Sequence, residues 1–170
     1  KPDRVIFSPW EDFDFEGRFI QADFGKLSVI SIYIPSGSAK EERQKYKTDF
    51  MIERFLPYLQ ALQEDGRQYI ICGDINIVHK EIDIKNFKGN KNRSGCLPEE
   101  RGYMEQLFTT EKFVDAFREV NQEANQYTWW SNRGQAWANN TGWRIDYQIL
   151  SGNLKGRVKN ASVYKDERFS

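Results

Sequence analysis

The side chains best suited to chemistry in this sequence are Asp74 and Asn76, in the segment Gly73-Asp-Ile-Asn76. The apolar run that precedes them predicts a buried strand, on which residues separated by one position project from the same face. A carboxylate there can bind a metal ion or accept a proton from water, and an amide N–H can stabilise charge on a phosphate oxygen. The pair favours phosphodiester hydrolysis, and the structural alternative is an Asx-turn that ends the strand.

Tyr33 is a third candidate, because it ends a second predicted strand directly before Pro35. If the two strands are neighbours, Tyr33 and Asp74 meet at the rim where open sheets bind ligands. Otherwise Tyr33 anchors the edge of a core and keeps its hydroxyl in water.

The segment Gly142-Trp-Arg-Ile-Asp-Tyr147 supplies a second carboxylate. On an extended backbone Trp143 and Ile145 point to one side, and Arg144 and Asp146 point to the other. One interpretation is that Asp146 is buried and holds a catalytic imidazole, with Trp143 and Ile145 at the mouth of a cleft. The alternative is an ion pair between Arg144 and Asp146 inside the strand.

Two features favour contact with nucleic acid. The stretch from Ile84 to Pro98 contains no acidic residue and four basic ones, which are Lys85, Lys88, Lys91 and Arg93. Because this stretch follows the Asp74 segment, its charges suit phosphate contacts, although such a run is also typical of a solvated loop. Trp129 and Trp130 are either core residues or a surface on which a base or sugar packs.

The remaining reactive side chains give weaker indications. His79 is the only histidine, and its position beyond the predicted strand indicates a loop or cleft-lining residue and not the general base. Cys72 and Cys96 lack the C-x-x-C spacing and the nearby histidine of a zinc site. We expect reduced thiols, with Cys72 buried.

Composition limits the class of protein. The 170 residues carry 25 basic and 25 acidic side chains, and 39% of them are hydrophobic and 15% aromatic. This excludes a disordered chain and a chain that coats nucleic acid by charge alone. No apolar run is long enough to span a membrane, so we expect a cytoplasmic protein. The chain begins without Met or a signal peptide, and Val5 to Phe7 already predicts a strand, so the sequence starts in mid-fold.

The pattern of apolar residues predicts α/β (or α+β) architecture in one domain, with helices packed outside sheets. Ser38-Ala-Lys-Glu41 predicts a capping box, followed by a helix that Gly66 ends and a second helix from Pro98. The apolar face of the first helix is predicted to hold Tyr46, Phe50, Met51, Phe55, Leu59 and Leu62. The predicted strands span residues 18–24, 27–34, 69–73, 127–131, 143–151 and 157–164. A tight turn at Gly25-Lys26 joins the first two, and the second is apolar enough to be covered on both faces.

These segments, in this order, resemble the exonuclease III/abasic endonuclease family, which has the DNase I-like four-layer α/β/β/α sandwich fold. The matching segments are Glu16-Gly-Arg18, Tyr33-Ile-Pro-Ser-Gly37, Gly73-Asp-Ile-Asn76, Ile82-Asp83, Tyr127-Thr-Trp-Trp130, Gly142-Trp-Arg-Ile-Asp-Tyr147 and Arg168-Phe-Ser170. Each is weak alone, and the ordered set is specific.

The resemblance implies a role for each candidate. Tyr33 is the active-site tyrosine near the scissile phosphate, Asp74 is the proton acceptor, and Asn76 stabilises the transition state. Asp74 and Asn76 belong to the metal site, where the family uses Mg²⁺ and Mn²⁺ is possible. Asp146 supports the catalytic histidine. The pocket for a flipped-out abasic sugar is formed by Trp129, Trp143 and Ile145.

The sequence also departs from the family pattern. The first sheet strands, with an Asn and a metal-binding Glu, would precede Lys1, and the family's Ser-Asp-His ending is cut at Ser170. We therefore expect residues 1–170 to form the carboxy-terminal part of one endonuclease/exonuclease/phosphatase domain, inactive by itself.

Two functions fit this resemblance. The first is a monomeric, Mg²⁺-dependent enzyme that cuts double-stranded DNA at abasic sites or trims 3′ ends in base excision repair. The second is a catabolite repression control protein of the same fold, which acts with an RNA chaperone on messenger RNA without nuclease activity. The retained pair Asp74 and Asn76 favours the enzyme, because the regulators have lost it.

Overall fold

A computed structural model describes residues 1–11, 17–38 and 40–165. The predicted Glu16-Gly-Arg18 and Arg168-Phe-Ser170 matches therefore lie partly or wholly outside the described residues. The strands are β1 (Arg4–Ile6), β2 (Phe19–Phe24), β3 (Leu27–Tyr33), β4 (Gln68–Asp74), β5 (Val114–Asp115), β6 (Trp129–Trp130), β7 (Gly142–Trp143) and β8 (Asp146–Leu150). The helices are α1 (Glu41–Phe50), α2 (Leu56–Glu64), α3 (Phe87–Asn90), α4 (Pro98–Thr109) and α5 (Ala116–Val120).

Six of the strands form one mixed sheet in the order β1-β2-β3-β4-β8-β5. β3 and β4 run parallel, and the remaining neighbours in the sheet are antiparallel. The turn at Gly25-Lys26 joins β2 to β3 as predicted. β6 and β7 form a separate two-stranded ribbon. The predicted α/β class is confirmed.

The main core lies between one face of this sheet and the helices α1, α2 and α4. From the sheet it contains Ile30, Ile32, Ile71 and Ile149, and from the helices Phe50, Leu59, Met104 and Leu107. On the other face Ile20, Phe24, Ser31 and Tyr33 are exposed. The prediction that β3 is covered on both faces is therefore wrong for the described residues. On this second face of the sheet, they pack only against the edge formed by β8 and β5.

A π-helical turn, Met51–Phe55, connects α1 to α2 in one continuous helix. The helix begins at Glu41 after Lys40, which makes no side-chain cap. Ser38 instead hydrogen-bonds Ser36, so the predicted capping box is wrong for Ser38; Ala39 is outside the described residues. Tyr46 is exposed, and Lys47 takes the buried position beside Phe50 and Met51.

Three strand predictions need correction. The predicted strand 127–131 shortens to β6, and the predicted strand 143–151 is interrupted at Arg144 and Ile145, where the chain leaves the ribbon and enters the main sheet. Residues 157–164 form no strand and run alongside the sheet, where Val158 packs against Leu150 and Val114. Apolar residues alternate in this segment because one of its sides is buried, although the segment does not pair with a strand.

No helix in the described part of the chain has both the length and the apolar character needed to cross a bilayer.

Candidate functional site

Tyr33, Asp74 and Asp146 form one row across three neighbouring strands. Tyr33 at the end of β3 pairs in register with Asp74 at the end of β4, and Asp74 pairs with Asp146 at the start of β8. Because in-register neighbours in a sheet project from the same face, the three side chains lie together on the open face. The expected convergence of these strands at a common rim is therefore observed.

A left-handed turn at the end of β4 sets the position of Asn76, whose φ is 56°. The Asn76 backbone N–H donates to Asp74 Oδ1 over 2.8 Å, which is the Asx-turn bond of the structural alternative. The Asn76 side-chain Nδ2 donates to Asp74 Oδ2 over 3.0 Å and to the Ile34 carbonyl over 2.8 Å. The turn thus couples the amide directly to the carboxylate.

Gly73 allows the close approach of β4 to β3 just before this turn. Its φ is 153°, and a Cβ there would lie 1.7 Å from the Ile32 carbonyl oxygen. Any larger residue would push Asp74 away from Tyr33, because the backbone of β3 cannot yield by that amount.

The electrostatics of the row oppose two ionised carboxylates. Burial, and next the neighbouring Asp146, raise the pKa of Asp74 to about 6, while the hydrogen bonds from Asn76 and the charge of Lys47 work against the shift. Asp146 is exposed, which corrects the expectation of a buried carboxylate, although partial desolvation by its neighbours raises its pKa. Two adjacent carboxyl groups, of which Asp146 hinders the ionisation of Asp74, suit a hard divalent cation, which relieves the repulsion.

The fit to a metal ion is nevertheless partial. Asp74, Asp146 and the amide of Asn76 supply oxygen donors of the kind that Mg²⁺ prefers. Within the residues the structure describes, however, His, Cys, Asp and Glu side chains form no group of three or more around a common point. The donors in the described residues are therefore a part of a magnesium site and would need water or further ligands to complete it.

A cleft of about 810 Å³ opens beside this row, and Asn76 is in its wall. The cleft brings together the predicted aromatic and apolar contacts Trp129, Trp143 and Ile145. Trp129 is 46% exposed and meets the edge of Trp143 at a centroid distance of 6.3 Å. Both tryptophans thus present ring surface to the cleft, as a stacking site requires.

The predicted basic residues divide into two groups. Arg93 lines the cleft, together with Lys40 and Arg133, which sequence reasoning missed. Lys85, Lys88 and Lys91 are exposed and do not line it. Lys85 lies within 3.4 Å of Asn125. These three lysines can therefore meet only phosphates that lie outside the cleft.

Arg144 is engaged with Asp83 and Asp115, so the predicted alternative of an Arg144–Asp146 pair is wrong. Its Nε donates to Asp83 over 2.8 Å and its Nη2 to Asp115 over 2.6 Å, and the guanidinium is 1% exposed. Arg118 also donates to Asp83. The strand break before Asp146 turns Arg144 inward, which alternation on a regular strand could not predict.

His79 is buried and pairs with Glu105 over a distance of 2.7 Å, while its ring packs against Phe108. This contact anchors the His79 side chain to Glu105 of α4, and its exclusion as the general base stays a prediction. Cys96 is buried as a free thiol, whereas Cys72 is only half-buried on the open sheet face, contrary to the prediction.

Comparison with known proteins identifies the family. Residues 8–163 match the endonuclease/exonuclease/phosphatase family. The chain is 38% identical to an exodeoxyribonuclease of Bacillus subtilis over 92% of its own length and 61% of that protein. It is 37% identical to the DNA repair nuclease APEX1 of Danio rerio over 92% of its own length and 51% of that protein.

A solved structure agrees with these matches. An AP endonuclease from Archaeoglobus fulgidus superimposes with a TM-score of 0.79 at 26% identity, over 91% of this chain and 60% of that one. The chain thus spans about half to three-fifths of the length of the proteins that it matches. On the family match and this shared fold, the chain belongs to the endonuclease/exonuclease/phosphatase family.

Proposed function

We propose that this chain is part of a metal-dependent phosphodiesterase that cuts DNA at abasic sites or trims 3′ ends during base excision repair. The observation that carries the proposal is the row of Tyr33, Asp74 and Asp146 beside a cleft with tryptophan and arginine side chains. The names of the relatives, an exodeoxyribonuclease and a DNA repair nuclease, support the same chemistry.

In this mechanism Asp74 accepts the proton of the attacking water. With a pKa of about 6, its carboxylate is ionised at pH 7.5 and is still a stronger base than an ordinary aspartate. The Asn76 amide exchanges the longer of its two hydrogen bonds, the one to Asp74 Oδ2, for a phosphate oxygen on which charge develops. Tyr33 is 42% exposed, and we assign its hydroxyl a contact with the scissile phosphate. Asp146 takes the role that the family resemblance implies for it, which is to orient a catalytic imidazole.

Asp74 and Asn76 are the residues of this chain that would contribute to a Mg²⁺ site, or to a Mn²⁺ site in its place. The bound ion supplies charge stabilisation at the phosphate and lowers the pKa of water. The chain's own contribution is to keep the two carboxylates and the amide within one row, so that little reorganisation accompanies the reaction.

The cleft accounts for the DNA substrate. Trp129 and Trp143 give flat surface on which an exposed sugar or base can pack, and Ile145 adds apolar surface to the same cleft. Arg93 and Arg133 place positive charge at the rim. A duplex with an abasic site costs less to distort than an intact one, because no base pair is lost when the damaged nucleotide leaves the helix.

The direct test uses the full-length protein and a duplex with one abasic site. We expect strand cleavage with Mg²⁺ and none with EDTA, measured by denaturing gel electrophoresis of an end-labelled strand. A second duplex with a recessed 3′ end separates trimming from incision. If both duplexes stay intact with Mg²⁺ and with Mn²⁺, the proposed function is wrong.

The exposed lysines Lys85, Lys88 and Lys91, with Arg93, are expected to contact phosphates. Replacing any one by Ala should reduce the slope of log Kd against log salt concentration by about one unit, without a change in sequence preference. The measurement is fluorescence anisotropy of labelled DNA at several salt concentrations. Lys155→Ala is the control, because Lys155 is exposed and lies at the end of the sheet opposite to Asp74. Its neighbour Asn153 donates a hydrogen bond to the Arg67 carbonyl, just before β4 begins. Unchanged slopes for all four variants would assign this segment to the solvated surface.

The regulator alternative gains no support from these observations. The relatives described above carry nuclease names, and the pair Asp74 and Asn76 is intact.

A further inference from the structure

We propose that Lys47 is a positioning residue for Asn76: its buried ammonium holds the left-handed turn that presents the Asn76 amide to the phosphate. This inference rests on the proposed function, since it assigns Lys47 a part in the same site. Lys47 is on α1, far from Asn76 in sequence, and belongs to none of the motifs that carry the family resemblance.

The contact is a direct hydrogen bond inside the protein. Lys47 Nζ donates to the Asn76 backbone carbonyl over 2.8 Å and to Glu100 Oε1 over 2.7 Å. The side chains of Lys47 and Glu100 are 1% and 4% exposed. A lysine is very rarely so deeply buried, because the loss of hydration costs several kcal/mol. Its retention here indicates a purpose beyond packing.

Glu100 extends the contact to the loop on the other side of the cleft. Its Oε2 accepts from the backbone N–H groups of Gly95 and Leu97, over 2.6 Å and 3.1 Å. Gln44 of α1 donates to Oε1 over 3.0 Å. The buried Glu100 carboxylate thus joins Lys47 to the end of the basic stretch between Ile84 and Pro98.

Gly95 packs against the same carbonyl that Lys47 binds. A Cβ on Gly95 would lie 2.9 Å from the Asn76 oxygen and 3.3 Å from the Trp143 ring. The Val78 N–H donates to the Gly95 carbonyl over 2.8 Å, which fixes this approach. The Asn76 peptide is therefore confined between the ammonium and the Gly95 backbone.

This confinement matters because Asn76 has a φ of 56°, in the left-handed region, which Asn adopts more readily than most residues but still less readily than the ordinary helical and extended regions. If the carbonyl lost its cation, the peptide could rotate toward an ordinary conformation and carry the side-chain amide away from Asp74. The group that stabilises the transition state would then be displaced while the cleft that binds DNA stayed intact.

The test compares variants of the full-length protein in cleavage of abasic DNA. Lys47→Met alone leaves the Glu100 carboxylate buried without a cation, so the decisive variant is Lys47→Met combined with Glu100→Gln, which removes both charges at similar volume. We expect its kcat to fall about 10–100-fold, as for outer partners of active-site groups, with KM changed less than about threefold. Lys47→Arg keeps a cation and should recover most of the kcat. Lys45→Met is the matched control, because the Lys45 side chain is 75% exposed on the same helix.

A second readout does not depend on activity. The backbone amide resonances of Ile75, Asn76 and Ile77 should shift in the double variant and stay unchanged in Lys45→Met. A kcat close to the wild-type value, a rise in KM alone, or unshifted resonances would overturn the role of Lys47 while the proposed function stands. A wild-type protein that leaves DNA whole would overturn the proposed function, and the resonances would still decide whether Lys47 holds the turn.

Discussion

Replacing Asp74 by Asn in the full-length protein is expected to lower kcat for abasic DNA by about two orders of magnitude or more and to leave Kd for the DNA nearly unchanged. The amide keeps the shape of the side chain and can still accept the Asn76 N–H through its oxygen. It has neither the charge nor the proton affinity of the carboxylate. The loss therefore falls on the transition state and not on the ground state.

Single-turnover kinetics and anisotropy titrations measure these two quantities separately. Asp49→Asn serves as the control, because Asp49 forms an exposed ion pair with Lys45 on α1. A Kd that rises as much as kcat falls would show that Asp74 acts in DNA binding. An unchanged kcat would remove Asp74 from the mechanism.

Arg144→Met is expected to destabilise the protein by about 3–5 kcal/mol, because it leaves the buried Asp115 carboxylate without a cation and the buried Asp83 carboxylate with Arg118 alone. The midpoint of thermal unfolding should fall by about 10 °C for a domain of this size. Calorimetry or circular dichroism measures the shift. The protein is most affected where the ribbon joins the main sheet, since Arg144 lies between β7 and β8.

Two further variants show whether charge or volume is responsible. Adding Asp83→Asn and Asp115→Asn to Arg144→Met removes the uncompensated charges and should recover much of the lost stability. Arg157→Met removes an exposed arginine and should change stability by less than about 0.5 kcal/mol. If the triple variant is no more stable than Arg144→Met, lost packing explains the effect and the buried charges do not.

Short sequence motifs predicted which side chains lie together in the candidate site, because local turns and ordinary strand pairing determine their positions. Asp74 and Asn76 are set by the end of a strand and one turn, and apolar runs identify the strands that bring Tyr33 and Asp146 beside them. In each case the relevant interaction spans a few residues or follows from ordinary strand pairing. These are the parts of a fold to which periodicity is most sensitive.

The buried charges could not be predicted in the same way. Lys47 meets Glu100 across 53 positions and Arg144 meets Asp83 across 61, and neither pairing leaves a local pattern. In the sequence Glu100 is an ordinary favourable charge in the first turn of a helix, and nothing there indicates that it also accepts two backbone hydrogen bonds. A charged residue between apolar neighbours on a helix, as Lys47 is beside Phe50, was the one available indication of burial.

The π-helical turn has a consequence for how insertions and deletions affect this protein. In an uninterrupted α-helix, Lys47 and Leu59 would be about 120° apart around the axis, at 100° per residue. A π-turn absorbs one additional residue, which reduces that angle to about 20° and lets both side chains face the sheet. The direction in which Lys47 points toward Asn76 is thus linked, through the helix, to the direction in which Leu59 points into the core. Removing one residue between Met51 and Phe55 should convert the turn to regular α-helix and keep both Lys47 and Leu59 facing inward, whereas adding a residue there should rotate one of them away by about 100°.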